Sequence, residues 1–534
     1  MDSSTPPVLV IGNGPVGQTA ALLLARWDIP VVLLDARPAR DAIGSKAICQ
    51  HRDVLDIWES VGAGAEIAAE GLTWGIARTF YQDSELFAIQ LQDSGASPFP
   101  PFVNISQGRT EELLDRQIAA QPLIEVRWGH RVTSLEQDAR EVRVGCVTDQ
   151  GPVTLTGSFA VACPGARGQA VRDLLGVTFE GRTFGDQFLI CDIRTDLPGW
   201  EHERRFYFDP AWNPGRQVLI HPCPDSTFRI DWQVPDGFDL AVEEAGGELD
   251  RRIRDVIGDR DYEIVWKSVY RFHARVANRM RVGRVLLAGD AAHLVAPFGA
   301  RGLNSGVQDA ENAAWKLAHV LNGWAPEQLL ESYHLERHAA AVENLDVTAN
   351  TMRFLIPQDE DDWRRRRDTL ERARVDQAAC AEVDSGRMAE PFWYVDSPLT
   401  TPDYRGPFPG RPPKGAVPAP APGVLVPDVP VTVTGRPEVS RLRNLARSGV
   451  TVLVGDDALH VLADLEARAW ARPVAVHAMS SLASNLGATL AARSQEVWVL
   501  RPDAHVAAVL DGSDAGAVWQ AVDRALAVTA TVLA

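Results

Sequence analysis

The stretch Val8-Leu9-Val10-Ile11-Gly12-Asn13-Gly14-Pro15-Val16-Gly17 decides how the chain folds. Four apolar residues make a buried strand, the glycines turn it into a helical run from Gln18 to Trp27, and a second apolar strand follows from Val31 to Leu34. Each glycine has its own reason. Gly12 permits the tight turn, Gly14 lets the backbone approach a pyrophosphate, and Gly17 lets the helix pack on the strand. Pro15 sits in a first turn, where it loses no hydrogen bond, and the helix N-terminus then faces phosphate. Asp35 follows the second strand, about 20 residues on, where an acid holds ribose hydroxyls. The pattern predicts a Rossmann-type unit in which Gly12, Gly14, Pro15, Val16, Gly17, Asp35, Ala36 and Arg37 line a dinucleotide; it leaves FAD and NAD undistinguished.

A second segment separates them. Arg284-Val-Leu-Leu-Ala-Gly289-Asp290-Ala291-Ala292-His293 runs on to Pro297-Phe298-Gly299-Ala300-Arg301-Gly302-Leu303-Asn304-Ser305-Gly306 and then Asp309-Ala310. A strand there delivers a carboxylate, and a glycine-rich turn brings backbone N–H groups and a helix N-terminus forward. The segment resembles the flavin-ribityl motif of the single-component FAD-dependent aromatic hydroxylases, the family of 4-hydroxybenzoate and 3-(3-hydroxyphenyl)propionate hydroxylases. The resemblance implies that Gly289, Asp290, Pro297, Gly299, Gly302, Leu303 and Asn304 hold FAD, with Pro297 beside the reactive edge of the flavin.

Composition limits the partners. The 534 residues carry 53 Lys and Arg against 71 Asp and Glu, a net charge of -18 that disfavours nucleic acid. The chain is long enough for two or three domains, and no stretch approaches the roughly 20 apolar residues of a membrane helix. The opening residues have no basic segment followed by an apolar one, so a cytoplasmic location is expected. The 6 cysteines stand singly and the 12 histidines form no ligand set, so no metal is expected.

Organisation follows from changes of pattern. The expected fold is α/β: a Rossmann-type FAD-binding domain, an inserted mixed β-sheet substrate domain, and a C-terminal thioredoxin-like α/β domain. FAD-binding residues occupy 1–176. Short alternating strands, among them 217–221 and 228–234, mark a substrate-binding sheet over 177–278. The chain returns to the first domain over 279–396, where Val307, Ala310, Ala314, Leu317 and Leu321 recur at helical spacing. Eleven prolines between Pro398 and Pro430 predict a linker or wrapped connection over 397–430. Residues 431–534 resemble the thioredoxin-like extension of some family members, carried on the stretch Arg501-Pro502-Asp503-Ala504-His505-Val506-Ala507, but no cysteine lies beyond Cys380 for dithiol chemistry. The basic run Arg364 to Arg367 reads as a solvated helix face.

Other positions follow the family less closely. Gly44 to Ile48 resembles the loop after the second strand, with Lys46 where an arginine usually stands; Gln107 resembles the glutamine that touches the flavin side chain. Glu111 belongs to the helix that follows, or is a solvated first-turn acid. The D-G-A-R-S pattern linked to FAD and nicotinamide binding is replaced by Cys163-Pro164-Gly165-Ala166-Arg167-Gly168, and Pro164 supplies neither a carboxylate nor a backbone donor.

The resemblance implies hydroxylation of an aromatic, phenolic or polycyclic polyketide-like substrate with NADH or NADPH and dioxygen through a flavin C4a-hydroperoxide. The alternatives are a Baeyer–Villiger, epoxidising or decarboxylative oxygenase on the same fold, or a flavin-binding protein with impaired reduction. His221, Arg229 and Pro297 are the catalytic candidates, the first to take a phenolic proton, the second to hold an anion, the third through its place beside the flavin's reactive edge that the resemblance implies; a cross-strand ion pair between Arg229 and Asp231 is the blander reading. Phe208, Trp232, Tyr270 and Arg271 are substrate candidates, with Trp232 equally a core residue. The oligomeric state stays open, a homodimer included.

Overall fold

In a computed structural model, residues 6–41, 47–91, 93, 97–384, 388, 390–412, 416, 418–467, 472–512 and 514–528 are described. Lys46 lies outside them.

The strand Val8–Ile11 is central in a six-stranded sheet ordered 281–282, 285–287, 160–162, 8–11, 31–34, 124–127. All neighbours are parallel except the edge pair 281–282 with 285–287. Such strands are covered on both faces, and Val8–Ile11 and Val31–Leu34 are accordingly apolar throughout. The two glycine-rich segments, almost 300 residues apart, therefore emerge from strands of one sheet, at its carboxyl ends, where ligands of open α/β sheets bind.

Helix Pro15–Arg26 packs on helix Arg301–Leu321 closely enough that glycine is required. A Cβ on Gly306 would stand 2.6 Å from Val16 Cγ2, and one on Gly289 3.1 Å from it. Val16 is the wedge between the two segments. Val307, Ala310, Ala314 and Leu317 face the same core, as their spacing predicts.

A second, eight-stranded sheet is ordered 293–294, 262–277, 179–195, 227–234, 217–223, 203–208, 76–81, 84–90. It is mixed, because 203–208 pairs parallel with 76–81 and its other pairings are antiparallel. Its last two strands correct the boundary at residue 177: they lie inside the stretch assigned to the first domain and reach this sheet by non-local pairing. One face packs on helix Glu248–Ile257 through Leu249, Ile253 and Ile257; the other packs on Phe298 of the glycine-rich loop and on Met352, Leu355 and Leu370 of the helices that follow. Because side chains alternate, residues 229, 231 and 233 share the inward face, and 228, 230, 232 and 234 the outward one.

The last sheet, ordered 474–478, 450–454, 496–500, 506–511, pairs its first two strands parallel and the rest antiparallel. With helix Ala515–Ala525 it buries Val452, Val499 and Val522 in one cluster with Trp315 of helix Arg301–Leu321. The Pro-rich segment before it wraps the molecule. The Tyr394 hydroxyl accepts from Arg337 at 2.9 Å, Ser397 donates to Glu336, and the Thr401 amide donates to the Ala507 carbonyl. Among the described residues no helix is long and apolar enough to cross a membrane, and no group of His, Cys, Asp and Glu could hold a metal ion.

The run Arg364–Arg367 departs from its expected solvated face at Arg366. That residue is buried, donates to the Leu355 carbonyl at 3.0 Å and lies over the Phe208 ring. The apolar stem of an arginine packs well once the head finds a carbonyl.

Candidate functional site

The site is built at the carboxyl ends of the six-stranded sheet. Gly12 has φ +105° and a Cβ there would meet the Cys163 carbonyl at 2.2 Å; a Cβ on Gly17 would meet the Gly12 carbonyl at 1.8 Å. Gly14 differs: a Cβ would meet nothing within 4 Å, so glycine there keeps a space clear that the protein does not fill. That cradle opens at the N-terminus of helix Pro15–Arg26, which has neither a side-chain cap nor an acidic first turn. Its orphan N–H groups and positive end suit a pyrophosphate.

Asp35 accepts from the Asn13 amide at 2.8 Å and from Arg37 through its amide (2.8 Å), Nε (3.0 Å) and Nη2 (3.0 Å). Burial works against its charge, but these bonds from Arg37 and Asn13 win, and the carboxyl is held below its ordinary value. Arg40, not anticipated from sequence, joins the same group. Its guanidinium donates to the Asn13 carbonyl (2.8 Å), Glu111 (2.7 Å) and Asp115 (2.6 Å), and lies over the Trp128 ring beside Arg37. Glu111 is thus a buried partner of Arg40, not a solvated acid. Gln107 accepts from the Ala47 amide at 3.3 Å and donates to Glu111 at 2.8 Å.

The second segment closes over the first. Gly289 has φ +62° in the short turn 289–291 that presents Asp290. The turn is held from behind by Asp309, whose Oδ2 accepts from the Gly289 amide (2.9 Å) and His293 Nε2 (2.6 Å) while Oδ1 accepts from Arg337 Nε (2.6 Å). Pro297 is exposed and Gly299 has φ +84°, so the chain turns sharply into helix Arg301–Leu321. That helix also starts with no side-chain cap and no acidic first turn. Asn304 is committed to protein: its side-chain amide joins the backbone of Cys49, His51 and Ala300, and as the fourth residue of the helix its N–H lies beyond the orphaned first turn. The open cradle at Gly14 and two uncapped helix N-termini at one sheet edge fit a long anionic dinucleotide, and FAD is the group they fit.

The inward face of the eight-stranded sheet begins beside this turn. Phe188 stacks on Phe272 with centroids 4.3 Å apart, and Phe298 of the glycine-rich loop stands edge-on to both at 6.0 and 5.6 Å. Phe208 belongs to the same wall, stacked on Phe206. Tyr270 is partly exposed next to Phe272, and burial followed by the Asp290 charge pushes its hydroxyl up to about 12. Further along, the face becomes polar. Arg229 makes a buried two-point ion pair with Asp192 at 2.7 and 3.0 Å, so its partner across the ladder is Asp192 and not Asp231. Its charge is spent on protein. His221 Nε2 lies 3.9 Å from Asp231 Oδ2, and burial, then the charges of Arg204 and Arg229, keep the imidazole neutral.

Two substrate candidates do not reach the site. Trp232 points outward into the core against helix Glu248–Ile257, because it lies one residue out of phase with Asp231. Arg271 is exposed and paired with Asp236. Of the departure from the family pattern, Pro164 lies against Gly12, with its Cα 3.1 Å from where a Gly12 Cβ would stand.

Comparison with known proteins agrees with this geometry. Residues 5–348 match the family described as FAD binding domain. The chain is 31% identical over 349 residues to a 3-(3-hydroxy-phenyl)propionate/3-hydroxycinnamic acid hydroxylase of Comamonas testosteroni, covering 64% of this chain and 58% of that one. A flavin-dependent monooxygenase of Mycobacteroides abscessus is 32% identical, over 64% of this chain and 73% of its own. The match spans about three fifths of the length of the hydroxylase from Mycobacterium sp. (strain JLS), at 29% identity and 61% coverage. Among solved structures, the flavin-dependent monooxygenase PieE in complex with FAD and substrate superposes with TM-score 0.84 at 24% identity, over 99% of this chain and 100% of its own. The complex of aklavinone-11 hydroxylase with FAD and aklavinone gives 0.76 at 22%, over 99% and 100%.

Proposed function

This chain belongs to the FAD-binding-domain family, and from that premise we propose that it is an FAD-dependent monooxygenase that hydroxylates an aromatic or phenolic substrate of polyketide size with NADH or NADPH and dioxygen. The observation that supports it is the aromatic wall of Phe188, Phe272 and Phe298 standing directly beside the glycine-rich turn that opens helix Arg301–Leu321. A flat conjugated ring held there lies next to the flavin and away from water.

Gly12, Gly14, Pro15, Val16, Gly17, Asp35, Ala36, Arg37 and Gln107 would hold the nucleotide end; Gly289, Asp290, Pro297, Gly299, Gly302, Leu303 and Asn304 the flavin end. Bound FAD supplies hydride acceptance and oxygen transfer. The chain's own work is orientation and water exclusion: two helix N-termini offer N–H donors and positive ends, and the phenylalanines keep the ring dry. The final sheet is read as a cysteine-free thioredoxin-like unit with a structural task, and the location as cytoplasmic.

A panel running from simple phenols to polycyclic polyketides, scored by accelerated NADH or NADPH consumption together with product mass, tests this. A gain of one oxygen on the ring supports hydroxylation; ring expansion, an epoxide or lost carbon dioxide selects the sister chemistries. The second reading, a flavin-binding protein with impaired reduction, is favoured by Pro164 beside Gly12, and it gains if no panel member accelerates nicotinamide oxidation.

A further inference from the structure

Tyr394 belongs to the wrapped segment, and its place is fixed from the last sheet. Its amide donates to the Gly423 carbonyl at 2.8 Å, its carbonyl accepts from the Thr400 hydroxyl at 2.7 Å, and the Gly423 amide donates to the Val506 carbonyl at 2.7 Å. Gly423, at φ +88°, comes so close that a Cβ there would stand 2.6 Å from the Tyr394 carbonyl carbon. The ring is held as well: its centroid lies 4.5 Å from that of His505 and 4.8 Å from the Arg501 guanidinium.

Those contacts need no hydroxyl, and a phenylalanine would make them. The buried hydroxyl serves a different neighbour. Its oxygen accepts from Arg337 Nη1 at 2.9 Å and from Asn312 Nδ2 at 3.3 Å. Arg337, sealed from water, sends Nε to Asp309 at 2.6 Å and Nη2 to the carbonyl and hydroxyl of Ser305 at 3.2 Å. Asp309 in turn holds the Gly289 amide, and Ser305 lies near the start of helix Arg301–Leu321. Among the described residues Nη1 has no acceptor besides Tyr394. A buried charged donor deprived of its acceptor is unfavourable enough that the guanidinium would shift and loosen its hold on Asp309 and Ser305.

We propose that Tyr394 is a positioning residue for the flavin-binding turn: its hydroxyl locks the Arg337 guanidinium, and through Arg337 and Asp309 the cysteine-free last unit holds residues 289–291 in the shape that receives FAD. Docking of that unit does not require this line. Val452, Val499 and Val522 already cluster with Trp315, and Arg447 pairs with Asp56 and Glu311 at 2.7 Å, none of them through Arg337. The inference rests on the placement of the flavin end at Gly289 to Asn304 and is independent of which oxygenation follows.

The test starts from FAD-free protein and follows hydrogen exchange of the peptide 285–294, with strand Val8–Ile11 as the reference. Tyr394→Phe keeps the ring and should speed exchange of the Gly289 peptide by about tenfold or more, leaving the reference unchanged. A role confined to general stability would speed both alike. Arg337→Lys keeps the charge but loses the fork and should match it, and combining the two should add little. Arg443→Gln, which loosens the same unit from Asp53, should leave the Gly289 peptide unchanged. FAD affinity, read by fluorescence quenching, should weaken about tenfold in Tyr394→Phe. Wild type alone covers the case that the variants fail to fold: coupling is reciprocal, so added FAD should slow exchange of residues 391–400. Exchange in Tyr394→Phe equal to wild type or raised equally in both segments, an Arg443→Gln variant that behaves like Tyr394→Phe, unchanged FAD affinity, or no protection of 391–400 overturns the proposal. If the protein takes up no FAD at all, the flavin reading falls, while the exchange comparison still decides whether Tyr394 holds the turn.

Discussion

Asp309 and Arg337 meet at 2.6 Å with both side chains sealed from water, and the same carboxylate holds the Gly289 amide that sets the turn before Asp290. Asp309→Asn would leave a buried guanidinium uncompensated. We expect a loss of about 3–5 kcal/mol in denaturant-derived stability, with FAD retention falling in parallel. Unchanged FAD affinity would mean that the turn is held by other contacts.

The same residue sets a pH dependence. Burial raises the Asp309 carboxyl, but His293 and Arg337 outweigh it and leave it below its ordinary value; Glu336 and Asp503 are likewise held low by Arg501, with Lys316 aiding at Glu336 and His505 at Asp503. A depressed carboxyl contributes stability that is complete above its unfolded value, about 3.9 for Asp and 4.3 for Glu, and is lost as pH falls through the folded value. Thermal midpoints should therefore owe no loss to these three groups down to about pH 5, and should decline steeply below. The deficit of Asp309→Asn should narrow in the same acid range.

Gly14 and Gly17 separate binding from folding. Gly14→Ala meets open space, so melting should shift little while FAD affinity, followed by flavin fluorescence quenching, falls by about tenfold or more, or 1.4 kcal/mol. Gly17→Ala drives a methyl into the Gly12 carbonyl and should cost about 1–3 kcal/mol or more in stability.

The two faces of strand 227–234 should answer differently. Trp232→Ala empties a core position and should cost about 3–5 kcal/mol, with no specific effect on substrate KM in the folded fraction. Phe272→Ala should raise KM and release more peroxide per nicotinamide consumed. Arg271→Ala removes only an exposed ion pair, worth about 0–1 kcal/mol, and should be silent in both assays.

Why some of this was legible and some not is physical. The segments Val8 to Gly17 and Gly289 to Asn304 were readable because turn geometry and close approach are local demands that only particular residues meet. Strand alternation alone places Arg229 and Asp231 on one face and Trp232 on the other, but that Arg229 pairs with Asp192 is decided by the register with the neighbouring strand, which no local pattern announces. What alternation does not say is which face is core, and that is decided by helix Glu248–Ile257. Strands 76–81 and 84–90 join the second sheet through a parallel pairing with 203–208, more than 120 residues away, and no local pattern announces it. Arg40 has no motif around it; only the folded chain brings Asn13, Glu111 and Asp115 to its guanidinium.

The buried chain of charges from Lys316 through Glu336 to Arg501 and Asp503 ties the last sheet to the two long helices at 2.5–2.6 Å. Remove everything after the wrapped proline-rich segment, and Lys316 and Trp315 of helix Arg301–Leu321 would open to solvent together with Glu336 of helix Glu331–Leu355. The nucleotide-binding half is consequently not a detachable module: any chimera that grafts it elsewhere must import a substitute for Arg501 or redesign that helix face.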